Sequence, residues 1–360
     1  MADPEIYLTR GEAAQLACIL EATARKPGNV HRYTDFEDVT YLDFILSAAA
    51  IKPVIEGAAG RMIGEVVLDC VKATRSLVTS NTNLGIAMLL APLVTAEEGE
   101  GLREGLDDRI AASDASDTEK LYEAIRLAKP GGMGAVDEQD VQQTPQCSLL
   151  EAMSLAADRD TIARQFTRGF KDICDTGLTY FADALNADSL EDAIIQLHLF
   201  LMSEIPDTLI ARKLGTLESE EAAKRARGIL DAGWPNEKSS RDLCSGFDRW
   251  LRERGNQRNP GTTADLVTAV LFLALWNGLL PATVASRMRT DAPFTMPGKK
   301  HSTYVDQFRD LLRRTDTKNI ELGVEVLLRK MKERQNNDRL SEDDAFRVTY
   351  ERAQVRIDLA

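Results

Sequence analysis

Apolar residues recur along most of this chain with a helical period. Thr9 is placed to cap a first helix that runs through Ala14–Leu20 to about Arg25. A second is predicted from Thr40 to about Lys52, stopped by Pro53. Met62, Val66 and Cys70 beside Ile63, Val67 and Val71 make two adjoining i, i+4 rows, the mark of a third. From Asn83 to about Glu98 the pattern is apolar almost all round, which predicts a buried helix. A polar stretch, 111–116, precedes a helix over Glu119–Ala128, which ends at the Gly-rich break Lys129–Gly134. Further helices are predicted over Leu149–Ala157, Thr161–Leu185, Leu190–Ser203, Glu218–Leu230 and Ser239–Arg254, and another runs from the Asn259–Asp265 break to Asn277. Ala285–Tyr304 is basic and turn-rich, and the tail beyond it reads as charged helices, with Ile320, Val324, Leu327 and Met331 at helical spacing. No long alternating segment predicts a strand, and neither a G-x-G-x-x-G after a strand nor a P-loop lysine occurs. The expected fold is all-α, a compact multi-helix bundle. Residues 1–304 are expected to form this bundle, with 305–360 a charged helical extension packed on it.

Composition narrows the function. The 360 residues carry a net charge of −13, which argues against a nucleic-acid partner because phosphate-backbone affinity needs a positive field. A nucleotide substrate stays open, held by Mg²⁺ and a few placed cations. The five cysteines are scattered without C-x-x-C spacing, giving neither a disulfide framework nor a zinc site. The N-terminal residues lack an apolar h-region, and the longest apolar runs fall short of the roughly 20 residues of a membrane span. A soluble cytoplasmic protein is expected, with no membrane partner. A homo-oligomer is compatible with the sequence but not required by it.

Four polar loops interrupt the apolar helices: Lys26–Asp35, Asn81–Gly85, Glu204–Lys213 and Asn259–Asp265. Helices apolar nearly all round sit centrally, so polar residues at their ends lie near the core and need partners, either one another or a ligand. Each loop also has a bland account. Asn81-Thr82-Asn83 can simply cap a helix, Asp265 can complement a helix dipole, and Asp207 with Arg212 can be a surface ion pair. Glu21 can lie on a solvated face, and His198 on its apolar helix can be a satisfied core histidine.

Taken in order, the loops resemble those of the triphosphoribosyl-dephospho-CoA synthases. Glu21-x4-Lys26-Pro27-Gly28-x-Val30 is similar to that family's E…K-P-G-x-V block, and Asn81-Thr82-x-x-Gly85 to its N-T-x-x-G block. Asp207-Thr208 with Arg212 and Gly215 resembles its D-T…R…G block, and Pro260-Gly261-x-x-Ala264-Asp265-Leu266 its P-G-G-x-A-D-L block. The citrate-lyase branch has an acid at His31, His-Lys at Asn83-Leu84, Asn at Leu209 and Gly at Thr262. The Lys-Pro-Gly-Asn-Val-His form here therefore resembles a divergent branch.

The resemblance implies a reaction. ATP donates its 5-triphosphoribosyl group to the ribose 2′-hydroxyl of 3′-dephospho-CoA, or to a related acceptor, and adenine leaves. It implies an all-helical fold, ATP and Mg²⁺, and a set of roles. Asp207 and Asp265 would be catalytic and would hold the metal. Glu21, Asp35 or His31 would be the general base. Lys26, Arg32 and Arg212 would contact phosphates. Gly28 and Gly261 would admit the substrate to the backbone. Asn29, Asn81, Thr82, Asn83, Lys213 and Thr262 complete the expected nucleotide-binding set. Two alternatives stand beside it: an ATP-dependent transferase with another acceptor, and a non-catalytic helical binding protein.

Overall fold

The structure is a computed structural model in which residues 8–96, 102–130, 141–185 and 189–280 are described. The chain divides into two compact units, 1–290 and 291–360. The second lies outside the described residues, as do the basic segment 285–304 and the expected helical extension.

The described residues form fourteen α-helices and no strand beyond an isolated His31–Thr34 bridge. These are α1 (Arg10–Thr23), α2 (Tyr41–Glu56), α3 (Ile63–Arg75), α4 (Leu84–Thr95), α5 (Leu102–Ala111), α6 (Ala115–Ala128), α7 (Leu149–Ala156), α8 (Thr161–Thr167), α9 (Leu178–Ala184), α10 (Leu190–Glu204), α11 (Thr208–Leu214), α12 (Thr216–Asp231), α13 (Lys238–Arg252) and α14 (Gly261–Trp276). Local signals explain most ends. Thr9 and Glu12 close a capping box on α1, and Asp114, Ser148, Asp160 and Ser189 accept from first-turn amides of α6, α7, α8 and α10. Among the described residues no single helix is long and apolar enough to cross a membrane.

The apolar all-round helices take the centre. α14 buries nearly its whole length and packs on α1, α4 and α10, and α4 is buried from Leu84 apart from Gly85. α10 serves two cores. Ala193, Ile194, Leu197 and Leu201 join the main one, while Ile195, Leu199 and Met202 join a smaller one with α11, α12 and α13. This divided helix hangs the α11–α13 layer on the bundle.

Three expectations change. Pro53 does not stop α2, which runs on to Glu56 because Ile51 and Ile55 are both fully buried and their packing outweighs one lost backbone bond. The segment 161–185 is not one helix: Gly169 and Phe170 take φ of 57° and 56°, and a π-helical turn, Asp172–Gly177, follows. Phe170 is fully buried edge-on to Phe166, and a Cβ at Gly177 would lie 2.7 Å from Val270 Cγ2 of α14. Tertiary packing thus bends the chain where periodicity alone runs straight. α5 was not expected; among its described side chains Leu106 and Ile110 are buried.

Candidate active site

The first polar loop is built largely from its own contacts. Lys26 is wholly buried, pairs with Glu21 Oε1 at 2.8 Å and donates to the Glu21 carbonyl. Arg25 and Arg32 both bind the buried carboxylate of Glu191 on α10, at 2.7 and 3.2 Å. Burial pushes that carboxyl up, but the two guanidiniums hold it below its ordinary value. Gly28 has φ 79°, its amide donates to Asp248 Oδ1 at 2.8 Å, and a Cβ there would lie 2.6 Å from Leu251 Cδ1 and 2.9 Å from Pro260 Cδ. The glycine therefore lets this loop lie against α13 and the loop before α14. Asn29 completes the junction by donating to Asn259 Oδ1 at 2.7 Å.

The third and fourth loops meet at Asp207, which is 1% exposed. Its Oδ1 accepts from the amides of Leu209 and Ile210, capping α11, and its Oδ2 accepts from the Thr263 amide and hydroxyl in the first turn of α14. One carboxylate thus pins two helix N-termini together. Burial pushes its carboxyl up, and these donors pull it back only in part.

Between the loops lies a cavity of about 1010 Å³. Of the expected residues, Glu21, Asn29, Asn81, Thr82, Asn83, Arg212, Lys213, Gly261, Thr262 and Asp265 line it. Asn83 donates to Thr74 Oγ1, Thr82 shares a hydrogen bond with Ser47, and Asn81 accepts from the Leu84 amide, so the second loop is held rigidly at the mouth of α4. Arg212 pairs with Asp160 at 2.5 Å rather than with Asp207. Lys213 donates to the Asn256 carbonyl, and burial holds its ammonium below the ordinary lysine value.

Asp265 stands apart. No described residue hydrogen-bonds to its carboxylate, and burial, reinforced by Glu21, Asp207 and Asp160, pushes that carboxyl well above the usual range. It crosses directly over Gly85: a Cβ there would lie 2.0 Å from Asp265 Oδ2. The glycine of the Asn-Thr-x-x-Gly block makes room for the aspartate of the last block.

The remaining expected residues are absent from the cavity wall. Lys26 and Arg32 are not phosphate contacts in this arrangement, because Glu21 and Glu191 already occupy them. Gly28 packs on protein rather than on the cavity. Asp35 accepts from the Tyr41 amide at the start of α2. His31 is buried, accepts from the Tyr33 amide and is held well below its ordinary value by burial and then by Arg252, and it does not line the cavity. Asp207 cannot serve as a metal ligand while four protein donors occupy its oxygens. Among the described residues no group of three His, Cys, Asp or Glu side chains could hold a metal ion. Asp38, Arg75, Lys129, Arg159, Asp160 and Asn256 also line the cavity, and sequence reasoning missed them. Only Asp160 left a signal, as the polar residue before an apolar helical run.

A family model described as ATP:dephospho-CoA triphosphoribosyl transferase matches residues 8–283 of the chain. A solved structure from Archaeoglobus fulgidus, described provisionally as a triphosphoribosyl-dephospho-CoA synthase, is similar at 28% identity and a TM-score of 0.51. The likeness covers 64% of this chain and 98% of that one. No curated protein matches the chain.

Proposed function

The chain belongs to the ATP:dephospho-CoA triphosphoribosyl transferase family, and from that membership we infer that it transfers the 5-triphosphoribosyl group of ATP to the ribose 2′-hydroxyl of 3′-dephospho-CoA. The observation that carries this reading is that the matched residues, 8–283, include every residue lining the cavity. In the reaction the C1′–N9 bond of ATP breaks with its electron pair going to adenine. The acceptor oxygen bonds to C1′, its proton passes to a base, and adenine takes up a proton as it leaves.

Asp265 is assigned as that base. Its carboxylate lines the cavity without a hydrogen bond from any described residue, and its raised carboxyl makes it a better proton acceptor than an ordinary aspartate. Glu21 lines the same wall, but its carboxylate is paired with Lys26 at 2.8 Å and so adds little field of its own. Arg212 and Lys213 line the same cavity as Gly261 and Thr262 at the α14 N-terminus, and a triphosphate bound there would take Arg212 over from Asp160, a pair that is partly exposed and so open to exchange. The expected pair of metal-binding aspartates does not fit, because Asp207 is spent on the two helices. Mg²⁺ would then enter with the ATP, held by phosphate oxygens and waters together with one or two protein carboxylates.

Incubation with ATP, Mg²⁺ and dephospho-CoA, with free adenine measured by chromatography, tests the reading. Adenine released in step with a triphosphoribosylated acceptor is the expected result. Release without dephospho-CoA, or only with another acceptor, would redirect it, and no release under any condition would overturn it.

A further inference from the structure

Part of the cavity wall is apolar and comes from outside the four loops. α6 contributes Ile125 and Ala128, α7 contributes Met153, Leu155 and Ala156, and α8 contributes Ile162. Leu155 is 45% exposed on this wall, a large leucine left without a protein partner over much of its surface. One cation follows each of the first two helices. Lys129 caps the end of α6, and Arg159 lies just beyond α7. Both line the cavity, both are exposed, and the side chain of neither hydrogen-bonds or ion-pairs with a described residue, whereas those of Arg212 and Lys213 are engaged.

This chemistry is poorly matched to a ribose triphosphate, which has no long apolar part. It suits a nucleotide whose diphosphate leads into an arm of methylene and amide groups. A cavity of about 1010 Å³ also lies at the top of the range for a single small ligand, roughly 300–1,000 Å³, as expected where two substrates must meet. We propose that the α6–α7 wall binds the pantetheine arm of the acceptor and that Lys129 and Arg159 take its diphosphate. The assignment rests on the transferase reading above for the identity of the acceptor.

Leu155→Asp is the main variant, because an exposed position tolerates the change and the melting temperature should stay near that of the wild type. Calorimetric titration with dephospho-CoA alone should show affinity weakened by about tenfold or more, as expected for a lost apolar contact and an added charge. Lys129→Gln and Arg159→Gln should each weaken it several-fold. In the adenine assay KM for dephospho-CoA should rise with these losses while KM for ATP stays unchanged. 4′-Phosphopantetheine should compete with dephospho-CoA but not with ATP. Unchanged dephospho-CoA affinity in Leu155→Asp, or a rise in KM for ATP instead, would overturn the proposal. The titration needs no turnover, so an inactive wild type that still binds dephospho-CoA through Leu155 would refute the transferase reading alone. An active wild type with indifferent variants would refute only the wall.

Discussion

Replacing Asp207 by Asn tests whether this carboxylate is structural or holds a metal. The native side chain accepts four hydrogen bonds: from the amides of Leu209 at 2.9 Å and Ile210 at 3.1 Å, and from the Thr263 amide at 2.7 Å and hydroxyl at 2.8 Å. An asparagine keeps one acceptor oxygen. Whichever way its amide is turned, an NH₂ group meets donors it cannot satisfy, at the N-terminus of either α11 or α14. Hydrogen bonds to a charged group contribute roughly 1.5–3 kcal/mol each, so losing two costs about 3–6 kcal/mol. That is a large share of the roughly 5–15 kcal/mol by which a domain is stable. The melting temperature of the apo protein should therefore fall on the order of 10 °C. The assay is a thermal melt of both proteins with and without EDTA. A variant melting within about 2 °C of the wild type would refute the structural role, since so small a shift means less than about 1 kcal/mol. So would a wild-type melt that EDTA lowers to the level of the variant, because stability would then come from a bound metal.

Three further outcomes follow from the site. Asp265→Asn should lower kcat by roughly a hundredfold or more and remove the acid limb of the wild-type pH profile, which should lie well above the ordinary aspartate value; an unchanged limb would exclude Asp265 as the base. Because the folded value is raised, the ionised carboxylate costs stability, and this cost appears as pH rises through the ordinary aspartate value toward the folded one. The same variant should thus melt higher than the wild type at neutral pH, with the gap closing in acid. Gly85→Ala should push the Asp265 carboxylate from its place and lower kcat by about tenfold or more with helix content unchanged, whereas a normal kcat would show that the contact yields freely. In Glu191 the folded value is lowered, so its contribution is present above the ordinary glutamate value and is lost as pH falls through the folded one. Glu191→Gln should make acid unfolding shallower in that window, and an identical acid transition would refute its pairing with Arg25 and Arg32.

Much of the site was legible because its residues stand at breaks in helical periodicity. Asn81-Thr82-Asn83, Arg212-Lys213, Gly261-Thr262 and Asp265 all line the cavity. Which side chains remained free for a ligand was not legible. Lys26, Arg32, Asp35, His31 and Asp207 are polar residues on the same breaks, yet each has protein contacts that account for its position. The partners of Arg32 and Asp207, Glu191 and Thr263, stand 159 and 56 residues further on. Glu191 itself reads in sequence as an ordinary first-turn acid.

The sequence alone determined an all-helical bundle, the central place of α4 and α14, and the set of loops from which a site could be made. Local periodicity, capping side chains and apolar length act over a few residues and are written in order along the chain. Tertiary structure alone decided where the chain bends between α8 and α9, which cavity carboxylate has no hydrogen bond from a described residue, and that α6 and α7 would lend the cavity an apolar wall. Those outcomes depend on contacts between distant segments. The clearest is Gly85, an unremarkable residue in its helix, whose missing side chain is the space that Asp265 occupies.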